Sequence, residues 1–287
     1  MAENSKPTVY GTGLSGMIGS KIVEDLSDYY EFVNLDLAIG VDILQPESIE
    51  RVLEKSAGVA LLHLAAFTDP DAAEAQKGDT SGPAYQVNVV GTRNIAEAAK
   101  KFSLHLIHIS TAYVFDGTET TPYDEEHLPH PDTWYGETKA EAERVVQEIL
   151  PSATILRINL PYRTDDFPKP DIWRKIQAAL EAGKTGPFFS DHTFTLTPLD
   201  WFSQVMRWCI QNQPAGIYHA TTSTAYTDLT LATQIRDQLG LSTPLTSSSV
   251  HEYNKTATRP YQPYLVLSNE KLQKAMGDAW PAHADHS

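Results

Sequence analysis

Apolar residues recur along the chain in two rhythms. Short apolar runs bounded by turn residues read as strands buried on both faces, and longer stretches with apolar positions every three or four residues read as helices. Thr8–Tyr10 opens the series as a strand, followed by a helix over Ser15–Leu26 that carries Met17, Ile18, Ile22, Val23 and Leu26. Phe32–Leu37 is the next strand, and Pro46–Lys55 is a helix with proline in its first turn. Strand Val59–Leu64, helix Ala84–Lys101, strand Leu104–Ile109, helix Tyr135–Ile149 and strand Thr154–Ile158 continue the alternation. This order predicts an α/β fold whose parallel sheet is covered on both faces. After Pro161 the rhythm loosens, and prolines, aromatics and turn residues thicken. Helices Leu199–Gln211 and Thr227–Leu239 bracket a short strand, Gly216–Ala220. The pattern divides the chain into a larger unit, residues 1–162 with a return near 194–222, and a smaller one from 163–193 and 223–287.

Composition narrows the picture. With 41% hydrophobic and 21% charged residues, the 287-residue chain can build a packed core. Lys and Arg number 22 against 37 Asp and Glu, a net charge of −15, which argues against a nucleic-acid surface. An anionic small ligand must find a local positive patch against that field. The single Cys209, in Trp208-Cys209-Ile210, excludes an internal disulfide and a cysteine zinc site and reads as a buried hydrophobe. Met1–Pro7 lacks the apolar core of a signal peptide, and no stretch approaches the roughly 18 apolar residues of a membrane span. The expectation is a soluble, cytoplasmic protein that binds no membrane. His127 and His130 in the acidic segment Asp124–Pro131, and His283, Asp285 and His286 in the tail, read as loop and tail residues, so no metal is expected.

Gly11-Thr12-Gly13-Leu14-Ser15-Gly16-Met17-Ile18-Gly19 stands between the first strand and the first helix. A pyrophosphate needs backbone N–H groups at a positive helix N-terminus, and glycines permit the tight turn and close approach. This context predicts a Rossmann-type, doubly wound sheet that binds a dinucleotide. Asp36 follows Gly13 by 23 residues, near the spacing of the acid that holds the adenosine ribose. A carboxylate there accepts from a 2′-hydroxyl and repels a 2′-phosphate, which favours NAD over NADP. Asp42 and Ile43 are placed to face the adenine.

Tyr135 and Lys139 are four residues apart on a predicted helix, so the phenol and the ammonium share one face. A nearby cation is expected to lower the phenol's pKa toward neutrality. The preceding strand ends in Ser110-Thr111, and the Thr111 hydroxyl is a candidate partner for a carbonyl oxygen. Together with the glycine turn, this constellation points to hydride transfer.

These residues resemble the extended short-chain dehydrogenase/reductase superfamily, and within it the dTDP-4-dehydrorhamnose reductase family. The resemblance is carried by Thr12-Gly13-x-x-Gly16-x-x-Gly19, Leu64-Ala65-Ala66, Asn88 and Tyr135-x-x-x-Lys139. It also rests on Ala65-Ala66-Phe67-Thr68-Asp69-Pro70-Asp71-Ala72-Ala73-Glu74 and Ser110-Thr111-Ala112-Tyr113-Val114-Phe115-Asp116-Gly117. It implies a smaller C-terminal substrate-binding domain and reduction by NAD(P)H of a 4-keto-6-deoxy sugar on a nucleoside diphosphate. Thr111, Tyr135 and Lys139 would be the catalytic trio. Tyr135 would give its proton to the forming alkoxide, Lys139 would hold the nicotinamide ribose, and Thr111 would orient the ketone. Gly13, Ser15, Gly16, Met17, Ile18, Asp36, Asp42, Ile43, Leu64, Ala65, Ala66 and Asn88 would join Tyr135 and Lys139 around the cofactor. Phe67, Thr68, Ala112 and Arg259 would face the substrate. Helices Ala84–Lys101 and Tyr135–Ile149 would form a homodimer.

The chain departs from the family at three places. Ala112 replaces an Asp beside Thr111, which argues against a sugar 4,6-dehydratase. In Arg157–Arg163, Leu160 replaces a Trp that packs on the sugar, and Arg163 replaces a Gly. Two other functions fit the same residues. One is an epimerase that keeps its NAD. The other is a non-catalytic dinucleotide-binding subunit like the beta subunit of methionine adenosyltransferase. Lys169, Arg174, Lys175, Lys184 and Arg259 are the candidate cations for a substrate diphosphate, Arg259 before the others. Trp173, Trp201 and Trp208 read as core or interface, and Trp134 as a border of the cleft.

Overall fold

The computed structural model describes residues 6–281. Six strands make one parallel sheet: β1 Thr8–Thr12, β2 Glu31–Asn34, β3 Ala60–His63, β4 His105–Thr111, β5 Thr154–Ile158 and β6 Gly216–His219. They lie in the order β6-β5-β4-β3-β1-β2. From β1 the chain moves outward to β2 and then returns across β1 to β3. This reversal opens a crevice at the carboxyl ends of β1 and β3, where open α/β sheets bind ligands.

Both faces of the sheet are apolar because helices cover both. β3 shows it residue by residue. Leu62 joins the core beneath helices Met17–Leu26 and Leu199–Asn212, and Leu61 joins the core beneath helices Pro46–Leu53 and Thr92–Lys101. Each such leucine stabilises the fold by about 1.5–3 kcal/mol. Cys209 is fully buried in the first core, and burial pushes its thiol well above the usual range.

Local chemistry moves some element boundaries. β2 stops at Asn34, so Asp36 lies past the strand and begins a short turn of 3-10 helix, Leu37–Ile39. The helix expected over Ala84–Lys101 is present and unbroken, but its ladder changes along its length. Pro83–Tyr85 is α-helical, Gln86–Gly91 widens into a π-helical turn, and Thr92–Lys101 resumes the α-helix. The widened turn holds Asn88, whose side chain binds the Phe67 backbone N–H at 2.8 Å and the Thr138 hydroxyl at 2.9 Å. Such turns arise where a side chain must reach out of the helical ladder.

The later part of the chain builds a second core. Strand Thr193–Thr195 pairs with Ala225–Thr227 and Tyr264–Leu265, under helices Ile172–Glu181 and Asp228–Gln238. The return to the large sheet was expected from about residue 194. Thr193–Thr195 belongs instead to the small sheet, while helix Leu199–Asn212, β6 and the late helix Glu270–Met276, through Leu272 and Met276, join the large one. The second core also takes Ala112, Val114, Phe115 and Tyr123 from the loop after β4, so the two halves share packing. Among the described residues no helix is long and apolar enough to cross a membrane, and no three His, Cys, Asp or Glu residues are grouped to hold a metal ion. His283, Asp285 and His286 lie outside the described residues.

One buried ion pair pins β5 to helix Trp134–Ile149. Arg157 and Glu143 are 1% and 2% exposed and meet through two hydrogen bonds of 2.9 and 2.7 Å. Glu143 also accepts from the Ser110 hydroxyl, and the guanidinium lies over the Phe115 ring. Removing one partner strands the other charge in the interior. Glu143→Ala should therefore lower unfolding free energy by about 3–5 kcal/mol in urea titrations, whereas the paired change Glu143→Leu with Arg157→Met should recover most of that loss.

Candidate active site

The turn after β1 is built for close approach. Gly13 takes a left-handed φ of +71°, and a Cβ there would stand 2.7 Å from the Ala65 nitrogen. A Cβ on Gly19 would stand 2.5 Å from the Leu14 Cα. No side chain caps helix Met17–Leu26, and no acidic residue occupies its first turn. Its positive end is therefore left for an anion, and the cradle fits a dinucleotide pyrophosphate. Asp36 turns its carboxylate into the cradle. It accepts from the backbone N–H of Gly13 and from the Ser15 hydroxyl at 3.0 Å. The Asp42 carboxylate caps its own loop through the Leu44 N–H at 2.9 Å, while Ile43 packs against Gly91. Leu37 and Ile39 stand exposed just past Asp36. Leu64, Ala65 and Ala66, half-buried, follow β3 at the cradle's edge, and Asn88 holds the next residue, Phe67.

Thr111 ends β4 and caps the short turn Ala112–Val114. Thr133 caps helix Trp134–Ile149 by accepting from the Gly136 N–H at 3.2 Å, which sets where Tyr135 and Lys139 project. The Tyr135 phenol lies beside the Thr111 hydroxyl and meets the Tyr113 ring edge-on, with centroids 5.7 Å apart. Lys139 is buried and donates to the Ile109 carbonyl at 2.7 Å. Burial lowers its ammonium from 10.5 to about 8, against the pull of the Glu143 charge. The phenol behaves opposite to expectation. Burial, then the neighbouring Tyr113, push Tyr135 above its usual range, and the Thr111 hydroxyl only moderates the rise. Tyr135 therefore keeps its proton at neutral pH, as a proton donor must.

The expected substrate residues divide. Ala112 has no exposed surface and packs in the second core, so its methyl does not reach the cleft and that expectation is corrected. Arg259 reaches the Phe67–Asp71 loop, where its Nε meets the Asp71 carboxylate at 2.6 Å. Its Nη1 is buried without a partner among the described residues. Lys169 also reaches this loop, 3.2 Å from the Thr68 hydroxyl. Arg174 is held by Asp171 at 2.8 Å, and Lys175 and Lys184 are exposed. Trp134 is buried with Ala73 and Ala84, and Phe67, Tyr85 and Tyr135 pack against that cluster.

Leu160 keeps a φ of +38°, a left-handed conformation that a leucine adopts only under constraint. Arg163 is 4% exposed and clamps the loop after β5 to helix Met17–Leu26 through Ser20 at 2.8 Å and Glu24 at 3.0 Å. Arg163 stood out in the sequence only as the replacement of a glycine, and the histidines His63 and His108 did not stand out at all. The histidines come together only because the β3–β4 register pairs them.

The profile of a family described as the RmlD substrate binding domain matches residues 7–286. The chain is 28% identical over 289 residues to a probable low-salt glycan biosynthesis reductase, Agl14, of Haloferax volcanii, covering 96% of this chain and 94% of that one. It is 34% identical over 148 residues to a dTDP-4-dehydrorhamnose reductase of Aggregatibacter actinomycetemcomitans, about half of each chain. The crystal structure of a dTDP-4-dehydrorhamnose reductase of Bacillus anthracis in complex with NADP superposes with a TM-score of 0.86 at 23% identity, covering 95% of this chain and 93% of that one.

The cradle has a direct test. Gly13→Ala forces a side chain into the left-handed region and against the Ala65 backbone, so NADH affinity read by fluorescence titration should fall at least about ten-fold.

Proposed function

The chain belongs to the RmlD substrate binding domain family, and from that premise we propose that it reduces a nucleotide-linked 4-keto-6-deoxy sugar with NAD(P)H. The observation that carries the reading is the Tyr135–Thr111 hydroxyl pair at the end of β4, with Lys139 buried on the same helix. The reductase names of the Haloferax and Aggregatibacter relatives support it.

Gly13, Ser15, Gly16, Met17 and Ile18 would hold the pyrophosphate at the helix N-terminus. Asp36 would take the adenosine ribose, with Ile43 and the exposed Leu37 and Ile39 beside the adenine. The hydride to C4 of the sugar is the chemistry that bound NAD(P)H supplies. As C4 gains that hydride, its carbonyl electron pair moves to oxygen, and the Tyr135 O–H gives its proton to that oxygen. Thr111 orients the ketone and stabilises the charge that develops on it. Lys139 would hold the nicotinamide ribose with its ammonium. Phe67 and Thr68 border the sugar, and Arg259 and Lys169 converge on their loop to receive the diphosphate. Position and preorganised donors account for the rate without a catalytic metal.

NADH oxidation followed by absorbance, with the dTDP-4-keto-6-deoxy sugar generated in situ, tests the reading. Tyr135→Phe should cut turnover by about 10²–10⁴-fold while NADH still binds. Absence of turnover in the parent protein, with NAD retained through purification, would discard it in favour of an epimerase. Because Lys139 holds its charge below about pH 8 and loses it above, turnover should fall on the alkaline side of that value. Asp36→Ala removes the carboxylate that repels a 2′-phosphate, so the preference for NADH over NADPH should shrink about ten-fold or more in kcat/KM.

A further inference from the structure

Lys139 is 2% exposed, so its three ammonium protons must find partners within the protein or a ligand. One goes to the Ile109 carbonyl at 2.7 Å. A second faces Nε2 of His108 at 3.4 Å. For that nitrogen to accept, the ring proton of His108 must sit on Nδ1. The Nδ1 atom is buried and has no partner among the described residues. An unmatched buried N–H is rare and costly, and its retention calls for an explanation.

His63 fixes the ring from beneath. The two imidazoles lie with centroids 5.2 Å apart and planes 33° apart. His63 cannot turn, because Thr12 Oγ1 stands 2.8 Å from its Nδ1 and Thr92 Oγ1 stands 2.9 Å from its Nε2. Thr92 gives its own proton to the Asn88 carbonyl at 2.6 Å, so it accepts from Nε2–H. Nδ1 then accepts from Thr12, whose oxygen in turn takes the Ala65 N–H at 3.1 Å. These groups agree on one arrangement of protons, with His63 neutral.

We propose that His108 is a positioning residue for Lys139. As a neutral ring protonated on Nδ1, it accepts one ammonium proton and, with the Ile109 carbonyl, aims the remaining N–H into the cleft. The ionisable groups that interact with the ammonium are His63 and His108 from the two strands and Glu143 from its own helix. Burial and then the Lys139 charge hold His63 at about 3 and His108 well below its usual value, so neither ring competes for a proton at neutral pH. His108 therefore favours the charged form of Lys139, and losing it should make the ammonium easier to deprotonate.

The catalytic meaning rests on the reductase reading, but the test does not. Protein labelled at lysine ¹³Cε is titrated by NMR without substrate, and the Lys139 signal is identified by its loss in Lys139→Arg. His108→Leu and His108→Asn should lower the Lys139 midpoint by about half a unit or more, and His108→Gln, whose amide oxygen reaches as an acceptor, should restore it. The alkaline fall of kcat should move by the same amount. Equal midpoints in all four proteins, or a midpoint in His108→Gln as low as in His108→Asn, would overturn the proposal. If His108→Leu does not fold, the Asn and Gln variants decide it. Lack of turnover in every protein would bear on the reductase reading alone, and the titration would still decide this one.

Discussion

A polar group that the parallel sheet buries beneath its crevice is costly unless it finds a partner inside the protein, and a chain of such partners sets where the Tyr135 helix can sit. The partners form an unbroken series. Thr12 in the glycine turn meets His63, His63 meets Thr92, and Thr92 meets the carbonyl of Asn88. The Asn88 amide reaches Thr138, which donates to the Tyr135 carbonyl at 2.9 Å. Each link contributes about 0.5–1.5 kcal/mol, but breaking one leaves a group unmatched at about 1–3 kcal/mol. The pyrophosphate cradle and the phenol are thus referenced to one another through the interior. The π-helical turn at Gln86–Gly91 belongs to this series, because it carries both the Asn88 carbonyl and the Asn88 amide.

The second half is fastened to that frame from two directions. Its core incorporates the loop after β4, which keeps Thr111 and Tyr113 at the boundary between the halves. Its Arg163 loop grips the first helix, and Lys21 of that helix meets Asp200 at 2.8 Å. Several buried cations are already matched to carboxylates, as expected for a chain with a net charge of −15. The uncapped helix after the glycine turn, the unmatched Nη1 of Arg259 and the hydroxyl-bound Lys169 are positive features still available to an anionic ligand. Local placement, not overall charge, decides whether such a ligand is drawn in.

Much of this was legible in the residues because it depends on local patterns. Apolar runs such as Ala60-Leu61-Leu62 mark strands buried on both faces, and glycines between a strand and a helix mark the crevice. The four-residue spacing of Tyr135 and Lys139 needs only a helix to put them on one face. What escaped depends on contacts between distant segments. The π-helical turn answers to Phe67 and Thr138, and the pairing of His63 with His108 answers to strand register. Ala112 turned inward because the second core draws on the loop after β4. The raised pKa of Tyr135 reflects burial, while Lys139 points its protons at Ile109 and His108. A spacing rule carries no information on burial, so the balance between desolvation and the nearby cation was not readable in advance.

Leu160 sits at the joint between β5 and the second half, between Asn159, whose amide is tied to the Leu265 carbonyl at 2.9 Å, and Pro161. The backbone alone would favour glycine or asparagine there, and a leucine holds that shape at a cost of about 1–2 kcal/mol. That cost is borne by the fold at one residue, and the contacts on either side, such as the Asn159 bond to Leu265, hold the strained shape in place.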